Sequence, residues 1–151
     1  MQKEKKQSEG RLSWKYPIVM MLLMAFILEA TGVNTGAYVY GGSLIKILGV
    51  PLYIPIMWSV IMTIAYIISR KYGVIVGVLS AYSIDLLLEP LAFYTGAWTW
   101  LNTFSAQVYF NSTVANAIVW LLMCLLGVYL WRKYSWRYDE LKNKIPRPLR
   151  A

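Results

Sequence analysis

Four apolar runs, each about as long as a bilayer is thick, are separated or flanked by basic residues and polar turns, which leaves this chain few folds. They cover about residues 16–33, 49–69, 72–93 and 113–131, each near the ~20 residues that a helix needs to cross the hydrocarbon core. Within that core every backbone N–H and C=O must find a partner inside the protein, so only helices or a closed barrel can cross it. No period-two alternation appears. The expected fold is therefore all-α, an integral membrane four-helix bundle. Composition agrees, because 58% of the 151 residues are hydrophobic and 15% charged, with mean hydropathy +0.48, too apolar for a soluble domain of this size.

The charge is segregated. Residues 1–15 carry five Lys/Arg against two Glu, and residues 132–150 carry seven against Asp139 and Glu140. This divides the chain into a basic N-terminal segment (1–15), a four-span domain (16–131) and a basic tail (132–151), of which 137–151 reads as polar and flexible. Arg70 and Lys71 fall between the second and third spans, while the other two loops hold only Lys46, so both termini are expected in the cytoplasm. Trp14, Tyr16, Tyr72, Trp131, Tyr134 and Trp136 sit where interfacial anchors belong. The net charge of +8 is explained by topology and lipid headgroups, and no nucleic-acid-reading motif accompanies it. The N-terminus has the charge profile of a secretory signal, with Ala30 and Gly32 resembling a cleavage site, but Glu29 immediately before it and the length of the apolar run argue against cleavage.

Three acids, Glu29, Asp85 and Glu89, lie inside the spans, where an ionised carboxyl costs about 2.5–3.5 kcal/mol and marks a partner, a cavity or a reacting group. Asp85 and Glu89 are four apart and share one helical face. Counting 1.5 Å per residue from the cytoplasmic side places Glu29 and Asp85 about 20 Å deep, with Glu89 one turn further. Trp58 on the second span, and Asn116 and Trp120 on the fourth, reach the same outer layer. A purely structural alternative pairs each acid with a Lys, Tyr or Asn to hold helices together. Against it, only Lys46 is on that side to neutralise three acids, so at least one is expected to hold a proton. With no histidine, and with Cys124 alone in an apolar run, zinc, haem and iron–sulfur sites lack their ligands; an all-carboxylate magnesium site is the remaining option, and the expectation is no metal and no cofactor.

Backbone signals converge on that layer. Gly32 and Gly36 form a small-xxx-small pair suited to an approaching helix, Pro51 and Pro55 open or kink the second span, and Pro90 is expected to break the third at Glu89. Residues 43–50 either extend the second helix or turn back. Residues 37–50 and 94–112, rich in Gly, Tyr and Trp, read either as interfacial loops or as a lid or re-entrant cap.

These residues resemble the membrane carotenoid biosynthesis proteins, a family that includes the carotenoid 1,2-hydratases and the bisanhydrobacterioruberin hydratases. The resemblance lies in Glu29, Gly32, Gly36, Tyr38 and Tyr40, then Gly49-Val50-Pro51, Pro55 and Trp58. It continues through Asp85, Glu89-Pro90, Gly96, Trp98 and Trp100, and ends in Tyr109 to Asn116 and Trp120. The hydratases are usually longer, with additional spans, and have a Gly-x-Pro turn between the tyrosine and the asparagine that this chain lacks. The resemblance implies a lipophilic polyene or isoprenoid substrate, held among membrane lipids, and a homo-oligomer or a second membrane subunit as a candidate partner.

Hydration of an isolated alkene needs a proton donor, a stabiliser for a tertiary carbocation, and a base for water. The outer layer contains all three types. The expected catalytic groups are Glu29, Asp85 and Glu89, which one is the donor being left open. The expected substrate-binding residues are Tyr38, Tyr40, Trp58, Trp98, Trp100, Tyr109, Asn116 and Trp120, of which Trp58, Trp98, Trp100 or Tyr38 offer aromatic faces to the cation and Asn116 positions water. Two other readings use the same features: a small proton-coupled transporter, whose acids would face both sides in turn, and a non-catalytic lipid-binding subunit.

Overall fold

The computed structural model describes residues 15–42, 45–101, 106–110 and 112–144. Trp14 and the basic segment before it, the side chain of Trp136 and the tail from residue 145 lie outside the described residues. Four helices make up the body: α1 (Lys15–Asn34), α2 (Tyr53–Tyr72), α3 (Val74–Thr95) and α4 (Val114–Lys144). Each holds a stretch long and apolar enough to cross a membrane, that of α4 being Val114–Tyr134. Large apolar side chains such as Leu23, Ile27, Ile75 and Leu87 point outward, as helices apolar on all sides must when lipid surrounds them.

α2 forms the centre of the bundle. Half of its spanning stretch is buried (50%), against 22% for α1 and 28% for α3, and it packs against each of the other three helices. α1 and α3, which carry the acids, make little contact with each other. The core between them is built from Met21, Ala25, Ile54, Met62, Ala81 and Trp120, with Cys124 as fully buried packing. A single residue, Gly73, joins α2 to α3. Its φ of 93° lies in the left-handed region, so the chain reverses in one step while its N–H still bonds to the Ser69 carbonyl.

At the opposite end, the two long connections fold into three short antiparallel pairs. These are β1 (Tyr38–Tyr40) with β4 (Trp98–Trp100), β2 (Lys46–Ile47) with β3 (Val50–Pro51), and β5 (Gln107–Tyr109) with β6 (Ser112–Thr113). The β1–β4 pair sets Tyr38 opposite Trp100 and Tyr40 opposite Trp98, tying the loop after α1 to the loop after α3. These pairs form an aromatic cap at that end of the bundle. The bundle remains helical, with no closed sheet among the described residues.

Several local expectations are corrected. α2 begins at Tyr53, because residues 46–51 form the β2–β3 hairpin, and Pro55 sits in the first helical turn, where its missing N–H costs nothing. The fourth span lies at Val114–Tyr134, close to its expected limits, but α4 runs on past it to Lys144, so residues 137–144, expected in a flexible tail, are helical. Gly32 and Gly36 receive no helix: a Cβ on Gly32 would lie 2.5 Å from the Tyr38 ring, while Gly36, at φ +77°, faces open space.

α3 also continues through Pro90 to Thr95. Proline has no N–H, so the Leu86 carbonyl, four residues earlier, loses its helical donor. The Tyr109 hydroxyl donates to that carbonyl at 3.2 Å. The helix therefore keeps its course past Glu89 with the freed acceptor satisfied from outside.

Candidate functional site

Beneath the cap lies a cavity of about 180 Å³. All four helices and the β1–β4 pair wall it, and Glu29, Asp85 and Glu89 all line it. Each acid is nearly sealed from solvent, at 6%, 2% and 2% exposure. The three acids of the expected layer therefore line one cavity, and the four-residue spacing does place Asp85 and Glu89 on one face of α3.

Glu29 accepts three hydrogen bonds. The Trp58 indole N–H donates to its Oε1 at 2.6 Å, and the Tyr38 and Tyr40 hydroxyls donate to its Oε2 at 2.6 and 2.5 Å. Gly32 stands one turn after Glu29 on α1, and its lack of a side chain lets the Tyr38 ring reach the acid. Burial, and then the Glu29 carboxyl, push both tyrosine hydroxyls above their ordinary value of 10.0, so they stay protonated and remain donors.

Glu89 is met by the other strand of the cap. Trp98 donates to its Oε2 at 3.2 Å, and Trp100 shares its N–H between the two oxygens at 3.3 and 3.2 Å. Asn116 on α4 donates from Nδ2 to Glu89 Oε1 at 3.1 Å and to Asp85 Oδ2 at 3.0 Å. Indole and amide N–H groups only donate, so both oxygens of Glu89 act as acceptors. The cap is latched by two carboxyls, with β1 held on Glu29 and β4 held on Glu89.

Asp85 differs. Asn116 is its one hydrogen-bond donor among the described residues, and the second carboxyl oxygen has none. The amide oxygen of Asn116 likewise receives no donor among the described residues, while its nitrogen is occupied by Asp85, Glu89 and Ser112 Oγ, the last at 2.9 Å. A free carboxyl oxygen and a free amide oxygen thus belong to two hydrogen-bonded side chains on the cavity wall.

The aromatic residues complete the walls. Trp58 and Trp120 pack with ring centroids 4.1 Å apart, and Tyr38 meets Trp100 edge-on at 4.7 Å. Ile54, Met57, Leu28 and Val119 supply the apolar surface between them. Lys46, the one basic residue expected on this side, donates its Nζ to the Tyr40 and Gly41 carbonyls at 2.8 and 2.6 Å. Among the described residues, no cluster of three or more acidic, histidine or cysteine side chains is placed to hold a metal ion.

Of the eleven expected site residues, ten line the cavity. Tyr109 does not: it is 41% exposed, its ring packs on Phe110, and its hydroxyl serves the Leu86 carbonyl. Sequence reasoning passed over Ser112 and Thr113. Thr113 lines the cavity and caps α4, accepting the Asn116 backbone N–H on Oγ1 at 3.2 Å. A hydroxyl residue directly before an apolar run was the available signal.

No curated protein and no solved structure matches this chain. A family model described as carotenoid biosynthesis protein matches residues 7–149, which include all four spans, the three acids and both strands of the aromatic cap. By that match the chain is a multi-pass membrane protein of the carotenoid biosynthesis family.

Proposed function

We propose that this protein is a membrane-embedded enzyme that adds water to a terminal alkene of a carotenoid or related isoprenoid. The observation that carries the reading is the meeting of three buried carboxyls with an apolar, aromatic-walled cavity. A cavity of about 180 Å³ suits the end group of a long polyene, the remainder lying along the helices in lipid. By the charge bias of the loops the cavity belongs on the side away from the cytosol.

Asp85 is the acid–base group in this reading, because it alone among the three has an oxygen that receives no donor among the described residues. Its proton passes to the less substituted alkene carbon, leaving a tertiary carbocation at the other. Trp58, Trp98, Trp100 and Trp120 present π-faces to that charge. Water held on the Asn116 amide oxygen adds to the cation and returns its proton to Asp85. One alkene and one water become a tertiary alcohol, and the acid is restored. Glu29 and Glu89 keep the cap closed over the reaction and add negative potential around the cation.

The test is production of the hydroxylated carotenoid in cells that make the ψ-ended precursor. Asp85→Asn, Glu29→Gln and Glu89→Gln should each abolish it, with the protein still present in the membrane. Undiminished product from all three variants would dismiss the reading.

A further inference from the structure

The charge balance of the cavity is unusual for a site buried in a membrane bundle. Every hydrogen-bond partner of Glu29, Asp85 and Glu89 among the described residues is neutral. The basic side chain nearest in sequence to the cap strand β1, Lys46, is committed to two backbone carbonyls. Both oxygens of Glu89 accept from indole or amide N–H groups, and the Ser112 hydroxyl also bonds to this carboxyl, an arrangement that suits a carboxylate. Asp85, 2% exposed, lines the same cavity with one oxygen that has no partner among the described residues.

A buried negative charge without a cation close by is costly unless something positive completes it. The walls show what form that would take. Trp58 and Trp120, packed on each other, and Trp98 and Trp100 line the space with aromatic rings, which attract cations and also accept apolar substituents. Neither a metal ion nor a strongly hydrated primary ammonium fits apolar and aromatic walls of this kind as well as a cation clothed in carbon.

We propose that the cavity is a receptor for alkyl-substituted cations, and that it binds tertiary or quaternary amines bearing a hydrocarbon chain in preference to neutral molecules of the same shape. The inference rests on the hydration reading for the identity of the natural cation, a carbocation formed in place. The amine is its stable counterpart, with nitrogen where the tertiary carbon would stand.

The experiment uses the full chain in neutral detergent and two probes: a dodecyl chain ending in a trimethylammonium group, and the same chain ending in a tert-butyl group. Quenching of tryptophan fluorescence reports binding, since four tryptophans line the cavity. The ammonium probe should bind the wild-type protein about tenfold more tightly than the neutral one, and saturably. In Glu89→Gln the preference should shrink to about threefold or less. Equal affinities for the two probes in the wild-type protein would overturn the inference without reference to any variant, and so would an undiminished preference in a folded Glu89→Gln. Hydroxylated product from a protein with no ammonium preference would overturn this inference alone. An ammonium preference in a protein that makes no product would support it while removing the hydration reading.

Discussion

Tyr109→Phe, made alone and again in a Pro90→Ala background, tests why α3 stays helical past its acids. Tyr109 donates at 3.2 Å to the Leu86 carbonyl, the acceptor that Pro90 leaves without its helical N–H. Removing the hydroxyl withdraws one net hydrogen bond, worth about 0.5–1.5 kcal/mol. For a chain of this length that corresponds to a fall in melting temperature of roughly 2–4 °C per kcal/mol. Pro90→Ala restores an N–H that bonds to the same carbonyl, so Tyr109→Phe should then cost close to nothing. The assay is thermal unfolding of the four proteins in one detergent, read as a double-mutant cycle. A coupling of about 1 kcal/mol is expected. Equal losses in both backgrounds, additive within about 0.3–0.5 kcal/mol, would refute the argument. Because Tyr109 stands outside the cavity, hydroxylated product should fall less than twofold by order of magnitude in the single variant.

Three further outcomes follow from the cap. Gly32→Ala puts a Cβ 2.5 Å from the Tyr38 ring, so the ring must leave Glu29, and a loss of about 1–3 kcal/mol in thermal or denaturant unfolding should accompany loss of product. Trp58→Phe keeps a ring against Trp120 but removes the 2.6 Å bond to Glu29, which should cost about 1.5–3 kcal/mol, measured by the same unfolding assay. Stability should also fall as pH rises beyond about 10, because the unfolded chain then releases tyrosine protons that burial and Glu29 hold on Tyr38 and Tyr40 in the folded protein. In Tyr40→Phe the fall should be shallower.

The spans and the convergence of the acids were legible because both follow from simple counts. Helix rise fixes depth, a spacing of four fixes a face, and buried acids stand out in apolar sequence. What the chain does between spans was less legible, since it depends on partners far apart in sequence. Nothing within the segment 107–109 says that Tyr109 will meet Leu86, which lies 23 residues earlier. A tyrosine in an aromatic loop looks the same whether it faces a ligand or repairs a helix. The same distance problem hid the function of Gly32, whose spacing from Gly36 suggests a helix contact while its real neighbour is Tyr38, six residues on. The proline rule was also correct in its cause and wrong in its result: Pro90 does free a carbonyl, but a side chain from another element answers it.

The central claim, that water is added across an alkene at these carboxyls, is tested most directly by the origin of the oxygen in the product. Purified protein, the ψ-ended precursor and water enriched in heavy oxygen should give a carotenoid alcohol carrying the heavy label, with none appearing when Asp85→Asn replaces the wild-type protein. An alcohol whose oxygen comes from molecular oxygen, or label incorporated equally by the Asp85 variant, would contradict the account.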